Sequence, residues 1–399
     1  MTNQLQTLTL KRNEDKRVRA GHLWVFSNEV DTAKSPLRNY QPGEQVVVLD
    51  DRGKSLGVAY VNPHSLIFAR IVSRSTQYEL NQSLITHRLN IALALRQRCF
   101  PQPYYRLVFG ESDYLPGLVV DRFGDHLVAQ ITTLGMENCK DDIVAALDKV
   151  LQPRSILFRN DAGIRELEGL EPYVETVKGE TPATLDLEEN ATRFEFNPVS
   201  GQKTGWFYDH RSNRARLCQY VKGLRVLDVF SYIGGWGVQA AKAGAAQVVC
   251  VDSSHSALEQ LLANARLNEC EDKIKTLKDD AFTALKSLHE AKEQFDVVIL
   301  DPPAFIKRKK DHKEGLTAYM RANQLAMQLL SRDGLLLSAS CSYHLKTREL
   351  TDSVMKAARH LDLGAQIIEQ GHQAPDHPVH PAIPETDYLK ALLVRVAKI

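Results

Sequence analysis

The sequence lacks a surplus of either charge. Its 399 residues carry 50 Lys plus Arg against 49 Asp plus Glu, so any basic surface for a nucleic acid has to be local. Paired cysteines are missing too. The six, at positions 99, 139, 218, 250, 270 and 341, form no Cys-x-x-Cys pair. A disulfide framework and a metal site are therefore not expected, whereas a reducing cytoplasm is. No uninterrupted apolar run approaches about 18 residues, so no membrane span is expected. The opening residues show no basic region followed by an apolar core, which argues against export. What is left is an ordinary globular composition, 43% hydrophobic and 25% charged, in a chain too long for one ordinary domain.

The chain is organised around Arg225-Val-Leu-Asp-Val-Phe-Ser-Tyr-Ile-Gly-Gly-Trp-Gly237. An apolar run broken only by Asp228 ends in Gly234, Gly235 and Gly237. That pattern predicts a buried strand turning sharply into a helix that Gly244 ends. Such a turn is where doubly wound folds hold a nucleotide-like ligand. Three further apolar runs end in acids at the spacing of successive strands. Gln247–Asp252 places an acid 24 residues after Asp228, suited to ribose hydroxyls. Ile274–Asp280 ends at an acid able to accept from an adenine amino group, and Phe295–Pro303 runs into Asp301-Pro-Pro. Four strand ends on one rim predict a cofactor cleft. A dinucleotide would bring phosphates to the glycine turn, where Asp228 repels them and favours an ammonium group.

This series resembles the class I S-adenosylmethionine-dependent methyltransferases over residues 198–399. The resemblance implies a Rossmann-like α/β domain with S-adenosyl-L-methionine as cofactor. By it, Asp228, Ser231 and the Gly234-Gly235-Trp-Gly237 turn hold the methionine end, Asp252 the ribose and Asp280 the adenine. Asp301 and Pro302 complete that rim. The loop before the first core strand carries Lys203-Thr204-Gly205, which the family closes over the cofactor. Tyr208 and His210 depart from the family's pattern there.

The first 76 residues read as short strands divided by Gly, Pro and Asp, which predicts a small β-barrel. A basic segment, Lys11 to Arg19, leads into Gly21-His-Leu-Trp24-Val-Phe. Its functional reading is phosphate contact beside an aromatic ring, its plain reading a solvated charged face. Arg17, Arg19, Gly21, His22 and Trp24 resemble the opening of a PUA domain, a small RNA-binding barrel. Residues 77–197 alternate strands and helices as a small α+β domain. There Glu111, Asp113, Asp121 and Arg122 read as a structural salt-bridge network.

Chemistry is read from Asp301-Pro-Pro303 and from Gly334-Leu-Leu-Leu-Ser-Ala-Ser-Cys-Ser342. The second is an apolar strand that delivers Cys341, flanked by serines, to the rim that holds Asp301. Carbon 5 of a pyrimidine becomes nucleophilic once a thiolate adds to carbon 6, and a base then removes the carbon-5 proton. The other five cysteines read as small buried hydrophobes. Amino-group methyltransferases place an aromatic directly after Asp-Pro-Pro, but here Ala304 stands there and Phe305 comes one later. Lys307, Arg308, Lys309 and Lys310 form the densest basic run, set to grip RNA phosphates with Phe305 beside the target base. His372, His377 and His380 lie among prolines in what reads as a rigid loop rather than a metal site.

Taken whole, the chain resembles the bacterial 23S rRNA cytosine-5 methyltransferases, in which a PUA domain, an α+β domain and a methyltransferase domain follow one another. That implies Cys341 as nucleophile and Asp301 as the group that orients the base or aids proton removal. It also implies 23S rRNA or a large-subunit assembly intermediate as partner; a homodimer is compatible with it. Two other readings are a purine methyltransferase, at guanine nitrogen 7 or an adenine amino group, and an inactive RNA-binding assembly factor.

Overall fold

The computed structural model describes residues 5–398; the first four, part of the stretch read above for an export signal, lie outside that range. The chain forms two compact units. One holds the chain as far as Leu185, with Asn197–Trp206 and Pro375–Thr386. The other holds Asp186–Phe196, Phe207–Ala374 and Asp387–Ile399.

The first unit contains two sheets. Strands β1 (Gln6–Thr9), β2 (Trp24–Phe26), β3 (Gln45–Leu49), β4 (Ser55–Val61) and β5 (Ile67–Ser73) pair in the order β1-β3-β4-β5-β2, with a short helix α1 (Lys16–Arg19) between the first two. An isolated bridge between Leu10 and Val30 joins the two edges of this sheet. Edge closure of that kind is how small barrels remove open strands. Residues such as Val46, Val48, Phe68 and Ile71 fill its interior.

A long helix α2 (Gln82–Cys99), capped by Asn81 accepting from the Leu84 N–H, opens the second part. Strands β6 (Tyr104–Phe109), β7 (Leu118–Phe123) and β8 (His126–Ile131) follow, then helices α3 (Leu134–Glu137) and α4 (Lys140–Leu151), then β9 (Ser155–Asn160) and β10 (Tyr173–Gly179). The sheet runs β10-β9-β8-β7-β6. Helical periodicity predicts one helix over 136–151; the structure has a break at Asn138 and Cys139, so α4 starts at Lys140. Of the four residues read as a salt-bridge network, Asp113 and Asp121 sit in ion pairs, each with an arginine outside that set. Arg96 holds Asp113 at 2.6 Å with both groups buried, and Arg106 holds the fully buried Asp121. Arg96 also donates to the Asp376 carbonyl and the Arg106 N–H to the Asp376 carboxylate, which anchors the late Pro375–Thr386 segment.

In the second unit a hairpin of β11 (Leu185–Glu189) and β12 (Thr192–Phe196) precedes helix α5 (Arg211–Leu217). The core sheet is then laid down by β13 (Arg225–Val229), α6 (Gly237–Lys242), β14 (Gln247–Asp252), α7 (His255–Leu267), β15 (Ile274–Lys278), α8 (Ala281–Glu290), β16 (Phe295–Leu300), α9 (His312–Gln328), β17 (Leu330–Ser340), α10 (Thr347–Arg359), β18 (Gly364–Gly371) and β19 (Lys390–Ala397). The order is β15-β14-β13-β16-β17-β19-β18, parallel except for β19. Strands β13 and β16 are neighbours although one precedes the other by three helices. That reversal opens a crevice at the carboxyl ends of both strands. Among the described residues no helix is long and apolar enough to cross a membrane, and none of the six cysteines is in a disulfide.

Candidate active site

The crevice is shaped by the turn after β13. Phe230 and Tyr232 take positive φ, +69° and +48°, a left-handed backbone that side chains rarely adopt and that concentrates at functional turns. Gly237 has to be glycine for reasons of contact. A Cβ there would meet the Cys250 Sγ at 2.5 Å and the Asp228 carboxylate at 3.0 Å. Its N–H donates to Asp228 Oδ2 at 2.9 Å, while the other oxygen of Asp228, with no solvent exposure, has no partner among the described residues. Burial first, then the nearby Asp301 charge, pushes the Asp228 carboxyl up to about 8. The Ser231 hydroxyl beside this turn is also buried without a partner. An orphaned carboxylate oxygen and an orphaned hydroxyl next to a strand-to-helix turn suit a ligand that brings an ammonium group, whose charge would relieve the Asp228 penalty. Gly234, at φ +91°, packs against Val238 and Leu261, and Gly235 is half-buried.

Asp252 closes β14. Its carboxylate accepts from the Tyr232 N–H and the Ser254 N–H, both at 2.9 Å, which fixes its rotamer and leaves further acceptor sites. Asp280 is the N-cap of α8, one oxygen accepting from the N–H groups of Phe282 and Thr283. The acid read as an adenine acceptor therefore also starts a helix.

Asp301, at the end of β16, is held from two sides. Oδ2 accepts from Trp236 Nε1 at 2.9 Å, and Oδ1 forms an ion pair with His210 Nε2 at 3.1 Å. Burial pushes the Asp301 carboxyl up, but the His210 charge and the Trp236 donor outweigh it and hold it below the usual range. Burial likewise disfavours the His210 cation, and the facing Asp301 reverses that, so its pKa lies above the ordinary value. The imidazole is fixed by Asn213 at 3.1 Å on its other nitrogen and by the Trp236 ring at 5.2 Å. The segment before it is set by Arg214, which pairs with the buried Glu189 and donates to the Phe207 carbonyl. Asp209, next in chain, accepts from the Tyr388 hydroxyl at 2.6 Å.

Cys341 directly follows β17 and is partly exposed. Its Sγ lies 4.0 Å from the Pro302 carbonyl, so the thiol and the Asp301-Pro302 corner share one end of the sheet. The flanking serines are structural: Ser340 shares a hydrogen bond with Tyr319 at 2.7 Å, and the Ser342 hydroxyl donates to the Ile306 carbonyl. Lys390 pairs in register with Ser340 from β19, and its buried ammonium donates to the carbonyls of Ser342 and Tyr388 at 2.8 and 2.9 Å. Burial lowers its pKa to about 8, with Cys341 among the groups that oppose the shift.

Second-unit candidates thus converge at one rim: Asp228, Ser231, Gly234, Gly235, Gly237, Asp252, Asp301, Pro302 and Cys341. Phe305 is partly buried against the Tyr319 ring at 4.8 Å, which makes it a wall rather than a free stacking surface. Lys307, Arg308, Lys309 and Lys310 are exposed ahead of α9, Arg308 with an Asp311 partner. In the first unit, Arg159 donates to the Pro198 and Gly201 carbonyls and so holds the loop bearing Lys203, Thr204 and Gly205. Lys203 is exposed, at φ +52°, while Thr204 is buried with its hydroxyl unpartnered. Arg17 is spent on Glu29 at 2.8 Å, Arg19 on Asp15 and Asp50, and the Trp24 N–H on Glu111 at 2.9 Å. These three are internal fasteners as much as surface groups. Among the described residues no group of three or more His, Cys, Asp or Glu could hold a metal ion.

If Asp252 carries the ribose, Asp252→Ala is expected to weaken S-adenosylmethionine binding by about 1–3 kcal/mol, the range of a lost charged hydrogen bond. Calorimetry on the folded variant checks this, and an unchanged affinity removes Asp252 from the site.

Known proteins share this fold and domain content. Residues 8–74 match the PUA-like domain, and residues 169–395, more than half of the chain, match the S-adenosylmethionine-dependent methyltransferases. A ribosomal RNA large subunit methyltransferase I of Tolumonas auensis is 37% identical over 397 residues, 98% of this chain and 99% of that protein. Its namesake in Escherichia coli O1:K1 / APEC is 36% identical with the same coverage. The solved structure of SMU.776, a methyltransferase complexed with SAH, shares the fold with a TM-score of 0.84 at 20% identity, over 98% of this chain and 100% of that one. The cofactor is S-adenosylmethionine. On the family match and on identity across nearly the whole chain, this protein belongs to the S-adenosylmethionine-dependent methyltransferases, in the family of the ribosomal RNA large subunit methyltransferases I.

Proposed function

We propose that the chain methylates large-subunit (23S) ribosomal RNA, free or in an assembly intermediate, and makes 5-methylcytosine through a bond between Cys341 and carbon 6. The rRNA part rests on the relatives' shared name. One observation carries the cytosine reading: a partly exposed thiol at the end of β17, against the Pro302 carbonyl and on the rim that holds Asp228. In this reading Asp228, Ser231 and the Gly234–Gly237 turn hold the methionine end, Asp252 the ribose and Asp280 the adenine, with Lys203, Thr204 and Gly205 closing over it. S-adenosylmethionine supplies an electrophilic methyl group when bound. The Cys341 thiolate adds to carbon 6, which makes carbon 5 enamine-like. Once carbon 5 carries the methyl group, a base takes its proton and the thiolate leaves.

Asp301 suits an orienting role better than that of the base. Both of its oxygens are engaged, and a carboxyl held below its usual range is a weak proton acceptor. Lys390, an ammonium of lowered pKa beside the thiol's strand end, favours the thiolate by charge. Lys307–Lys310 supply phosphate contacts, and Arg17, Arg19 and Trp24 a secondary RNA face. The division at residues 76/77 and 197/198 into barrel, α+β and catalytic domains is part of the same proposal. Nucleosides from 23S rRNA of a strain lacking this protein are expected to lose one 5-methylcytosine, restored by the wild-type gene. Mass spectrometry reads this, and a missing methylpurine instead would replace the cytosine reading.

A further inference from the structure

The first unit contains a cavity of about 760 Å³ that the catalytic reading leaves unused. It lies where the end of α1, the end of β5, helix α2 and the loop through His380 meet. Three arginines, Arg17, Arg74 and Arg88, line it together with His22 and His380, and no carboxylate does. Arg17 is neutralised by Glu29. Arg74 and Arg88 have no ion pair among the described residues; Arg74 makes one long hydrogen bond to the Val18 carbonyl, and the Arg88 Nε is buried without a partner. Two uncompensated guanidiniums facing one cavity call for an anion of matching geometry.

The remaining walls are aromatic and apolar. Tyr114 sits at φ +59°, a conformation that few tyrosines adopt. Its ring lies under Arg88 at 5.0 Å and edge-on to His380 at 5.3 Å, and 44% of the residue stays exposed. His380 is only 6% exposed. Its Nδ1 accepts from the Ala382 N–H at 3.2 Å, which puts the proton of the neutral ring on Nε2, a buried donor without an acceptor. Burial, then the Arg74 charge, keeps that ring neutral by lowering its pKa. The nearby carboxylates are Glu111, tied to Trp24, and Glu385.

We infer that this cavity takes one nucleotide of single-stranded RNA, its phosphate on Arg74 and Arg88, its base against Tyr114 and the apolar wall, and a base acceptor on His380 Nε2. The volume suits a nucleotide and exceeds what a bare phosphate needs. Pairing guanidinium with an aromatic face is how proteins hold unpaired RNA. The inference rests on the RNA reading above and gives the face that carries Arg17 a defined pocket for one nucleotide, built on Arg74, Arg88, Tyr114 and His380.

The test uses the full chain and a labelled single-stranded oligoribonucleotide, with affinity read by fluorescence anisotropy across a salt series. Arg74→Gln with Arg88→Gln is expected to weaken binding about ten-fold and to flatten the salt slope by about 0.7, the share of one lost phosphate contact on a single strand. S-adenosylmethionine affinity, read by calorimetry, should stay unchanged. Arg74→Lys with Arg88→Lys should keep most of the slope. Tyr114→Leu should cost about ten-fold at every salt concentration and leave the slope alone. An unchanged slope in the Gln pair, with wild type binding RNA normally, overturns this site and leaves the proposed function standing. Failure of wild type to bind any RNA overturns the proposed function instead. Binding of free CMP or AMP that the Gln pair abolishes, without any change in RNA affinity, would make the cavity a free-nucleotide site and sink the RNA assignment.

Discussion

A Cys341→Ser enzyme is expected to lose roughly three orders of magnitude or more in methyl transfer, since an alcohol without a paired base is a far weaker nucleophile than a thiolate. The change replaces one atom at a strand end whose neighbours, Ser340 and Ser342, are already anchored to Tyr319 and Ile306. The fold should therefore survive. RNA carrying 5-fluorocytosine at the target gives the sharper readout. Fluorine at carbon 5 blocks the proton removal that releases the thiolate, so wild type should leave a denaturant-resistant protein–RNA band that requires the cofactor. The serine variant should give none. Cys250→Ser, in the interior of β14, should keep the band if it folds. Near wild-type methylation by Cys341→Ser would end the cytosine reading and favour a purine target.

Replacing His210 by Ala is expected to destabilise the catalytic unit by about 3 kcal/mol near pH 6, because Asp301 is left with the Trp236 donor alone. The pH dependence carries the diagnosis. His210 is held above 6.5, so its contribution is complete below that value and fades as pH rises through the raised pKa. Asp301 is held below 3.8, so its contribution is present above that value and fades as pH falls through the lowered pKa. The gap between wild type and variant should be widest from about pH 4 to 6.5 and narrow in alkali, while the packing loss is pH-independent. Urea unfolding across that range measures it. A gap that stays level from about pH 5 to 9 would mean that the ion pair contributes nothing.

Much of the second unit was legible because its strands are short apolar runs with one acid at each end. Asp228, Asp252 and Asp301 lie where that pattern puts them, and Gly237 and Gly244 mark the start and stop of α6. His210 was visible only as a departure from a pattern. Its partner Asp301 is 91 residues away, and no local spacing links the two. Trp236 was hidden among glycines and Lys390 in an apolar strand, each acting through a group distant in sequence. In the first unit the basic run around Arg17 and Arg19 was legible as charge. Its acidic partners, Glu29 and Asp50, come from other elements, so the sequence could not show that it is largely neutralised. Arg74 and Arg88 drew no notice, being single cations without a run.

The interleaving of the two units has a consequence for biogenesis. Strand β19, which lies between β17 and β18, is synthesised after every other strand of its sheet. The first unit also waits, since Arg96 and Arg106 find Asp376 only late. A nascent chain that has reached Cys341 therefore carries the thiol on an unfinished sheet, without the Lys390 ammonium and with the Asp209 partner Tyr388 still unmade. Chains truncated anywhere before Pro375 leave both units incomplete, so a shortened product should be cleared by proteolysis rather than persist as a half-active enzyme. Competence for methylation arrives late in synthesis and in both units together.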